Sequence, residues 1–545
     1  MRGIHPVSAA ASGRCVRVTA NTSHALGILL ASCTSERHRQ LSNAAFSSWR
    51  QVSQSRPPAV LFAALLWASC ASLAGAQERV LQSEGWNAGL RLTETVDLNS
   101  DPRVVEINLE ARVARVEIAP DRHVEAWTYD GGLPGPLIRV RVGDRLIVHF
   151  SNRLPTPTTV HWHGIRLPNR MDGVPGHSQP EVQPGESFTY DFVVPDAGLF
   201  WYHPHVMSAA QVGFGLYGAL LVEDPSERVG TADELVLVLS DIEIRGDGTL
   251  ESPDTGASTG MAFGREGNHL LVNGRIGGEL LARSGAPQRW RIVNAAKSRY
   301  FQLDVDGPLF TDGLLFTIIG GDGGLLEYPV KRDRLVLAPG ERTDAIVIPR
   351  AAPGAELVVR SLLYNRGYGS VEARTPFDDL FTITMADLPP YAGGPLPETR
   401  RSIEPLSTSG ATAIDIQLTL GQLRDGSFEY RINGEPFARD KPVQAMPGET
   451  QVWTVTNKTK WSHPFHLHGF FFQVLDENGS PVRPLAWKDT VDVPFEQTAR
   501  FVVRFDDRPG GWMYHCHVLD HADGGLMGIV QVGAPDPNHS HLRKP

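Results

Sequence analysis

Ten of the nineteen histidines in this 545-residue chain occur in four short clusters, each built on the pattern His-x-His. Residues i and i+2 of a β-strand point to the same face of the sheet, so each pattern presents two imidazoles side by side. Neutral imidazole binds copper, zinc, iron and nickel, so the clusters predict a metal centre without selecting the metal. The clustered histidines are His161 and His163; His203 and His205; His463, His466 and His468; and His515, His517 and His521.

Cys516 narrows the choice of metal. It stands between His515 and His517 and, in a strand, faces away from both, so its thiolate serves a separate site. With His463 and His521 it supplies two imidazoles and one thiolate, the ligand set of a blue-copper electron-transfer centre. A zinc-only site is the main alternative, but eight clustered imidazoles exceed what one tetrahedral zinc ion can use.

The clusters occupy matching positions of an internal repeat. Three segments each run from Gly to Asn in nine steps with alternating apolar residues, the pattern of a half-buried strand. Nine residues after the Asn come His161 in the first copy and His466 in the third, whereas the second copy has Leu303 there and Val305 two residues later. We therefore expect metal ligands in the outer copies and core residues in the middle copy. The three segments are residues 143–152, 285–294 and 448–457.

A second shared element supports the repeat. Pro-Gly-Glu occurs at 184–186 and 339–341 and is loosely matched by Pro-Phe-Glu at 494–496, and an alternating strand follows each. Short alternating strands with close turns, and no long helical pattern, predict an all-β chain of three consecutive β-sandwiches. We expect the domains to span residues 77–226, 227–390 and 391–545, with no metal ligands in the middle one.

Charge and composition exclude one class of partner. The chain has 51 basic and 61 acidic residues, a net charge of −10, and no basic run, which argues against nucleic-acid binding. It is 41% hydrophobic and 21% charged, an ordinary globular balance that supplies enough apolar residues for buried cores.

Residues 1–76 resemble a targeting region. Residues 57–77 carry no charge, and an apolar run at 59–67 is followed by Ala74-Gly75-Ala76, which predicts a signal peptide at about 50–76 cleaved after Ala76. The run is short for a membrane anchor, so we expect an exported protein, periplasmic or extracellular, without stable membrane insertion. Residues 1–56, rich in Arg and lacking Lys, also fit an organelle transit peptide or a start codon assigned too far upstream.

The four clusters, in this order, resemble the copper motifs of the multicopper oxidase family, specifically its three-domain, laccase-like members. The similarity extends from about Arg91 to Val532. It implies three consecutive cupredoxin-like Greek-key β-sandwich domains and four copper ions. It also implies an enzyme that takes electrons from a small-molecule reductant, passes them through Cys516 to its neighbouring histidines, and reduces O2 to two waters.

The resemblance assigns a ligand set to each copper. The type 1 copper takes His463, Cys516 and His521, and the type 2 copper takes His161 and His466. The type 3 pair takes the remaining six cluster histidines, which are His163, His203, His205, His468, His515 and His517.

Three further positions follow from the same comparison. Asp172 lies where the family has a carboxylate that assists proton delivery, although a simple turn at Asp172-Gly173 is the alternative. Some bacterial relatives have a second acid after the last type 1 histidine, and here that residue is Ala522. Leu526 stands where relatives have an axial Met, which predicts a type 1 copper without a thioether ligand and with a raised potential.

The leading function is oxidation of phenols or similar aromatics, a laccase-like activity, by a protein that we expect to be a monomer. The alternative is a metal-ion oxidase acting on Cu(I), Fe(II) or Mn(II). Only eight Met residues occur, with no Met-rich cluster, which disfavours Cu(I). A non-catalytic structural family member is the least favoured, because such proteins lose copper ligands and this chain retains all of them.

Overall fold

The computed structural model describes residues 88–231, 233–252, 255–306, 316–367, 377–394, 400–439 and 441–534. The predicted targeting region at residues 1–76 lies outside the described residues. Within the ranges just given, no helix is both long enough and apolar enough to cross a membrane.

The first domain is a β-sandwich of two four-stranded sheets, ordered β2-β1-β4-β6 and β3-β8-β7-β5. Its short α1 (Ser208–Gly213) and the 3-10 helix Asn169–Met171 lie in connections between strands, and a 3-10 helix at Ala88–Leu90 precedes β1. The strands are β1 (Val104–Ala119), β2 (Arg122–Tyr129), β3 (Gly135–Arg141), β4 (Arg145–Asn152), β5 (His161–His163), β6 (Ser187–Val193), β7 (Gly198–His203) and β8 (Gly218–Glu223).

The second domain has a six-stranded sheet, β10-β9-β12-β17-β14-β15, and a five-stranded sheet, β11-β19-β18-β13-β16. Its helix α2 (Ala257–Phe263) follows β9. The strands are β9 (Asp233–Ile242), β10 (His269–Val272), β11 (Gly278–Ala282), β12 (Gln288–Asn294), β13 (Phe301–Asp306), β14 (Phe316–Gly321), β15 (Gly324–Arg332), β16 (Leu335–Leu337), β17 (Arg342–Val347), β18 (Glu356–Leu362) and β19 (Phe377–Met385).

The third domain has two five-stranded sheets, β21-β20-β23-β27-β25 and β22-β29-β28-β24-β26. A 3-10 helix at Phe437–Arg439 precedes β22, and α3 (Leu519–Asp523) follows β28. The strands are β20 (Thr412–Gln422), β21 (Phe428–Ile432), β22 (Val443–Ala445), β23 (Thr450–Asn457), β24 (His463–Leu467), β25 (Phe472–Leu475), β26 (Thr490–Val493), β27 (Thr498–Arg504), β28 (Gly510–Cys516) and β29 (Met527–Val532).

The three copies of the repeat share hydrogen bonds as well as a residue pattern. The Gly-to-Asn segments form β4, β12 and β23, and each pairs in parallel with the strand that opens its domain and antiparallel with a later one. The closing Asn of each copy is buried. Its amide donates to two backbone carbonyls in the first two copies and to three in the third, and its oxygen accepts a backbone N–H two residues on. A buried amide with several partners holds the turn that follows each strand.

The hydrophobic clusters show that the first and third domains pack against each other, while the second domain has a core of its own. Leu303 and Val305 lie in the second domain's own core around Trp290, as predicted for the middle copy. The first and third domains instead share one continuous cluster that includes Trp162 and Trp453. The prediction of three consecutive β-sandwiches is confirmed, and the residue numbers of the domain boundaries stay predictions.

Candidate metal centre

The four histidine clusters lie on two strand pairs. In the first domain β5 pairs with β7, which sets His161 opposite His203. In the third domain β24 pairs with β28, which sets His466 opposite His515 and places Cys516 opposite Phe465. Backbone pairing therefore brings the histidines of each domain together before any metal is considered.

Strand alternation explains only part of the pattern. His161 and His163 both lie within β5, as predicted. In the other three clusters the second histidine follows the end of its strand, because β7 ends at His203, β24 at Leu467 and β28 at Cys516. The chain leaves the regular strand there, and the second imidazole is placed by the turn.

All eight paired histidines nevertheless converge between the first and third domains. The His161 ring stacks on His468 with 3.9 Å between centroids, and the His163 ring stacks on His466 at 3.8 Å. His205 lies 5.1 Å from His515, and His203 lies 5.4 Å from His517, again measured between ring centroids. Every one of these side chains is buried.

Hydrogen bonds fix which nitrogen of several rings is available. Nδ1–H of His161, His203, His466 and His515 donates to a backbone carbonyl at 2.7–3.0 Å. The tautomer assigned in this way leaves Nε2 with a free lone pair. In three of these rings, Nε2 has no hydrogen-bond partner within the described part of the chain. Buried polar atoms without partners are costly, and bound metal ions remove that cost. The three rings are those of His161, His203 and His466.

His205, His468 and His515 show the fit to a metal most directly. His468 Nε2 lies 3.1 Å from His515 Nε2, and His205 Nε2 lies 3.4 Å from the same atom. His515 and His468 both donate through Nδ1, so their Nε2 lone pairs face each other. A cation between the rings would convert this repulsion into coordination, and seven of the eight rings, all but that of His517, belong to groups of three side chains with converging ligand atoms.

The rings are held neutral, as ligands must be. Burial is the main cause that lowers the pKa of nine of the ten cluster histidines, and it lowers the pKa of His463 and of His515 to about 3. A neutral imidazole keeps the lone pair that binds a metal ion, and its protonation competes with that binding.

A second site lies around Cys516. Its Sγ is 3.3 Å from His463 Nδ1 and 3.6 Å from His521 Nδ1, and the two Nδ1 atoms are 3.0 Å apart. His463 Nε2 donates to the Thr459 hydroxyl at 2.7 Å, which leaves Nδ1 as the acceptor atom facing the sulfur. Burial raises the pKa of the Cys516 thiol, so a bound cation is needed to keep it as a thiolate.

The position of Leu526 agrees with the sequence analysis. Leu526 is fully buried in the same hydrophobic cluster as Cys516. Met527 instead packs against a separate cluster that contains Met513 and Ile529. Adjacent residues of an extended segment face opposite ways, so the thioether is directed away from the cysteine.

Asp172 is buried against the imidazoles of two domains. Its Oδ2 accepts from His468 Nδ1 at 2.9 Å, its backbone carbonyl accepts from His161 Nδ1 at 2.7 Å, and its Oδ1 is 3.4 Å from that nitrogen. The residue therefore orients one ring from each outer domain, whatever its part in proton transfer.

Sequence reasoning missed Asp489 and Arg342. Asp489 lies directly before β26, and its Oδ1 is 3.2 Å from His163 Nε2, while Arg342 of the second domain binds both of its carboxylate oxygens. Burial raises the pKa of the Asp489 carboxyl, but the guanidinium outweighs burial and brings that pKa well below its usual range. The sequence signal was a charged pair, Lys488-Asp489, directly before the short strand Thr490–Val493, in which polar and apolar residues alternate.

Helix α2 was also not predicted, and it covers Cys516 and its partners. Tyr430, whose ring lies 4.6 Å from the His521 ring, donates its hydroxyl to the carbonyl of Ala262 at 2.7 Å. A Cβ placed on Gly524 would lie 2.2 Å from the sulfur of Met261. The helix thus separates the fully buried His521 from solvent.

Comparisons with known proteins agree with this geometry. Three family profiles, each described as multicopper oxidase, match residues 112–227, 233–365 and 408–536. Multicopper oxidase MmcO of Mycobacterium tuberculosis is 31% identical over 78% of this chain and 86% of its own length. A laccase of Bacillus subtilis is 27% identical over 75% of this chain and 90% of its own length.

Solved structures give the same result. A multicopper oxidase from Campylobacter jejuni, described as a metallo-oxidase, superposes with a TM-score of 0.71 at 26% identity and covers 81% of this chain and 94% of that one. The fold is thus the predicted cupredoxin-like one, and the chain belongs to the multicopper oxidase family. Multicopper oxidases are copper-dependent oxidoreductases that act on reductants with O2 as the acceptor.

Proposed function

We propose that this protein is a laccase-like oxidase that binds four copper ions and oxidises phenols or similar small aromatics. The type 1 ligands are His463, Cys516 and His521, and the type 2 ligands are His161 and His466. The type 3 ligands are His163, His203, His205, His468, His515 and His517. Copper held by these residues would supply one-electron oxidation of the reductant coupled to reduction of dioxygen, which takes up four electrons and four protons to give two waters.

The chain itself connects the two sites. Cys516 is covalently bonded to His515 and His517, whose imidazoles lie among the eight clustered rings. Asp172 Oδ2 accepts a hydrogen bond from His468 Nδ1–H, so this buried carboxylate lies beside the cluster, where it can relay protons. The burial of all eight rings excludes bulk water from the site.

The observation that carries the choice of substrate is an aromatic pair above the type 1 ligands. Phe263, at the end of α2, is 44% exposed and meets the half-buried Trp461 edge-to-face, with 5.0 Å between centroids. Trp461 lies two residues before His463, and its indole N–H has no hydrogen-bond partner among the residues described. That N–H is buried, so a phenol binds here by stacking on the exposed Phe263 ring beside Trp461.

The acidic residues around the type 1 ligands argue against Fe(II) or Mn(II) as the substrate. Carboxylates are ligands that such cations favour, and four carboxylates in this part of the described chain already bind other groups of the protein. The pairs are Glu266 with Arg366, Asp492 with Tyr300, Asp520 with Arg265, and Asp523 with the backbone N–H of Ala209. Met261 beside Gly524 is the one observation that favours Cu(I), since thioethers bind that ion.

Oxygen uptake by the copper-loaded protein tests this proposal. We expect uptake with a methoxyphenol, and loss of that uptake in Cys516→Ser. We expect Trp461→Ala to raise the KM for the phenol at least several-fold, whereas Tyr328→Ala, at an exposed aromatic of the second domain, leaves it unchanged. Uptake only with Cu(I), Fe(II) or Mn(II) would assign the protein to the metal-ion oxidases.

Export and a monomeric state are part of the same proposal and rest on the sequence alone. Amino-terminal sequencing of the exported protein is expected to begin at Gln77, directly after the predicted cleavage site. Light scattering is expected to give the mass of a single chain, and a dimer mass would contradict this.

A further inference from the structure

The second domain has no copper ligand, yet Arg342 extends from it into the metal centre. Arg342 begins β17 and its side chain is fully buried. Its guanidinium donates to the carbonyl of Leu199 in the first domain at 3.1 Å and to that of Gly340 in its own domain at 3.0 Å. It also donates to Asp489 of the third domain, so one side chain joins all three domains.

Asp489, which Arg342 binds, in turn contacts the imidazoles of two proposed ligands, His163 and His466. Arg342 binds both carboxylate oxygens, at 2.7 and 2.5 Å, in the fork geometry that fixes the carboxylate plane. The Asp489 backbone carbonyl accepts from His466 Nδ1 at 2.9 Å, and Oδ1 lies 3.2 Å from His163 Nε2. Thr490 adds a hydroxyl bond to the same Oδ1 at 2.8 Å.

The turn that precedes Arg342 contacts a third imidazole. Gly340 has φ +86°, and a Cβ placed on it would lie 2.9 Å from two ring carbons of His517. Gly185, its counterpart in the first copy, also has a positive φ, but a Cβ there would meet no atom within 4 Å. In the middle copy, the repeated turn therefore has an additional role: its backbone at Gly340 packs directly against the His517 ring.

The ordinary explanation is a buried ion pair that contributes only to stability. The second domain contains such a pair, because Arg289 binds both oxygens of Asp344 and both residues are buried. That pair lies in the same sheet, and its contacts are to Glu227 and Glu234 and to no copper ligand named above. Arg289 is therefore a matched control for Arg342.

We propose that the copper-free second domain positions the type 2 and type 3 ligands through Arg342, which holds Asp489 and thereby His163 and His466. This proposal rests on the ligand assignment given under the proposed function. Arg342 is a positioning residue, since it touches no ligand ring directly. The domain thus serves as an anchor for the interface between the two copper-binding domains.

The test compares Arg342→Met, Asp489→Asn, the double variant, Arg342→Lys and Arg289→Met. The measurements are copper retained per chain against a chelator, the electron paramagnetic resonance spectrum of the type 2 copper, and the thermal unfolding of the copper-free protein. Removal of a residue that orients a ligand typically weakens metal binding by about 10- to 100-fold. We expect a loss of that size, with an altered type 2 spectrum, in both single variants and in the double variant.

The double variant separates positioning from stability. Arg342→Met leaves the buried Asp489 carboxylate without its counterion, whereas the double change removes both charges. Asp322, which also lies 3.5 Å from Arg342, keeps Lys488 as its counterion at 3.1 Å. Thermal unfolding of the double variant should recover toward the wild type while its copper retention does not. Arg289→Met should lose stability and keep wild-type copper. Arg342→Lys keeps the charge but not the fork, so it should alter the type 2 spectrum even where Arg342→Met does not fold.

Wild-type copper retention and spectrum in the double variant and in Arg342→Lys would overturn the proposal. Recovery of copper binding together with stability in the double variant would show that the pair acts only as a stabilising ion pair. A wild-type protein that binds no copper would instead contradict the proposed function on which the inference rests, so the two failures are distinguishable.

Discussion

In all three domains the Gly-to-Asn strand pairs in parallel with the strand that opens the domain, but the segment that follows it presents opposite faces in the outer domains and in the middle domain. In the first domain His161 and His163 face the domain interface while Trp162 packs in the core. In the second domain Leu303 and Val305 pack in the core. Moving a strand by one residue turns its core-facing side chains toward the opposite face of the sheet. The outer and middle domains therefore differ both in which positions face the core and in which residues occupy them.

A metal site of this kind depends on where the histidines face as well as on how many there are. A histidine at position 303 would enter an apolar core, whereas the histidines of the outer copies meet rings from another domain. The middle copy contributes to the interface by a different route, through the turn at 339–341 and Arg342.

The largest effect is expected from equivalent truncations in an outer and the middle domain. We expect His466→Ala to abolish phenol-driven oxygen uptake and to lose copper, because it removes a proposed type 2 ligand. Leu303→Ala, at the matching position, should keep its copper and cost about 2–5 kcal/mol of unfolding free energy. Copper analysis and denaturant unfolding measure both. Copper loss in Leu303→Ala, or full activity in His466→Ala, would contradict the assignment of metal ligands to the outer domains and of core residues to the middle one.

Acid is expected to unfold the copper-free outer domains before the middle one. Nine of the buried cluster histidines have folded-state pKa values below the ordinary 6.5, about 3 for His463 and His515, so the unfolded chain binds more protons below pH 6.5. Stability is therefore complete above about pH 6.5 and falls as the pH decreases, by about 1.4 kcal/mol per pH unit for each histidine.

Hydrogen exchange of the copper-free protein measures this order. Between pH 7 and pH 5, amides of β5, β24 and β28 should lose protection before those of β12 and β13. Bound copper should move the transition to lower pH, because protons compete with the metal. Simultaneous loss of protection in all three domains would contradict the prediction.

The smallest effect is expected at the axial position. Leu526→Met should lower the type 1 reduction potential, because a thioether donor favours Cu(II) over Cu(I). Met527→Leu is the matched control and should leave the potential unchanged, since Met527 packs in a different cluster. Redox titration measures both variants. A shift in Met527→Leu, or none in Leu526→Met, would contradict the assignment.

Local spacing predicted those features that depend on one strand or one turn. It predicted the Gly-to-Asn strands, the grouping of the histidine pairs apart from Cys516, and the opposite directions of Leu526 and Met527. It did not give Asp489 with Arg342, or α2 above His521, because these contacts form only when separate domains or distant segments pack together. Spacing along one strand carries no information about what faces it from another domain.

Anomalous X-ray diffraction at the copper absorption edge, on crystals of the copper-loaded protein, tests the central claim most directly. We expect four copper peaks in the anomalous difference map. One should lie between His463, Cys516 and His521, and three among the eight imidazoles at the interface of the first and third domains. Fewer peaks in a fully loaded protein, or a peak bound by the second domain, would contradict it.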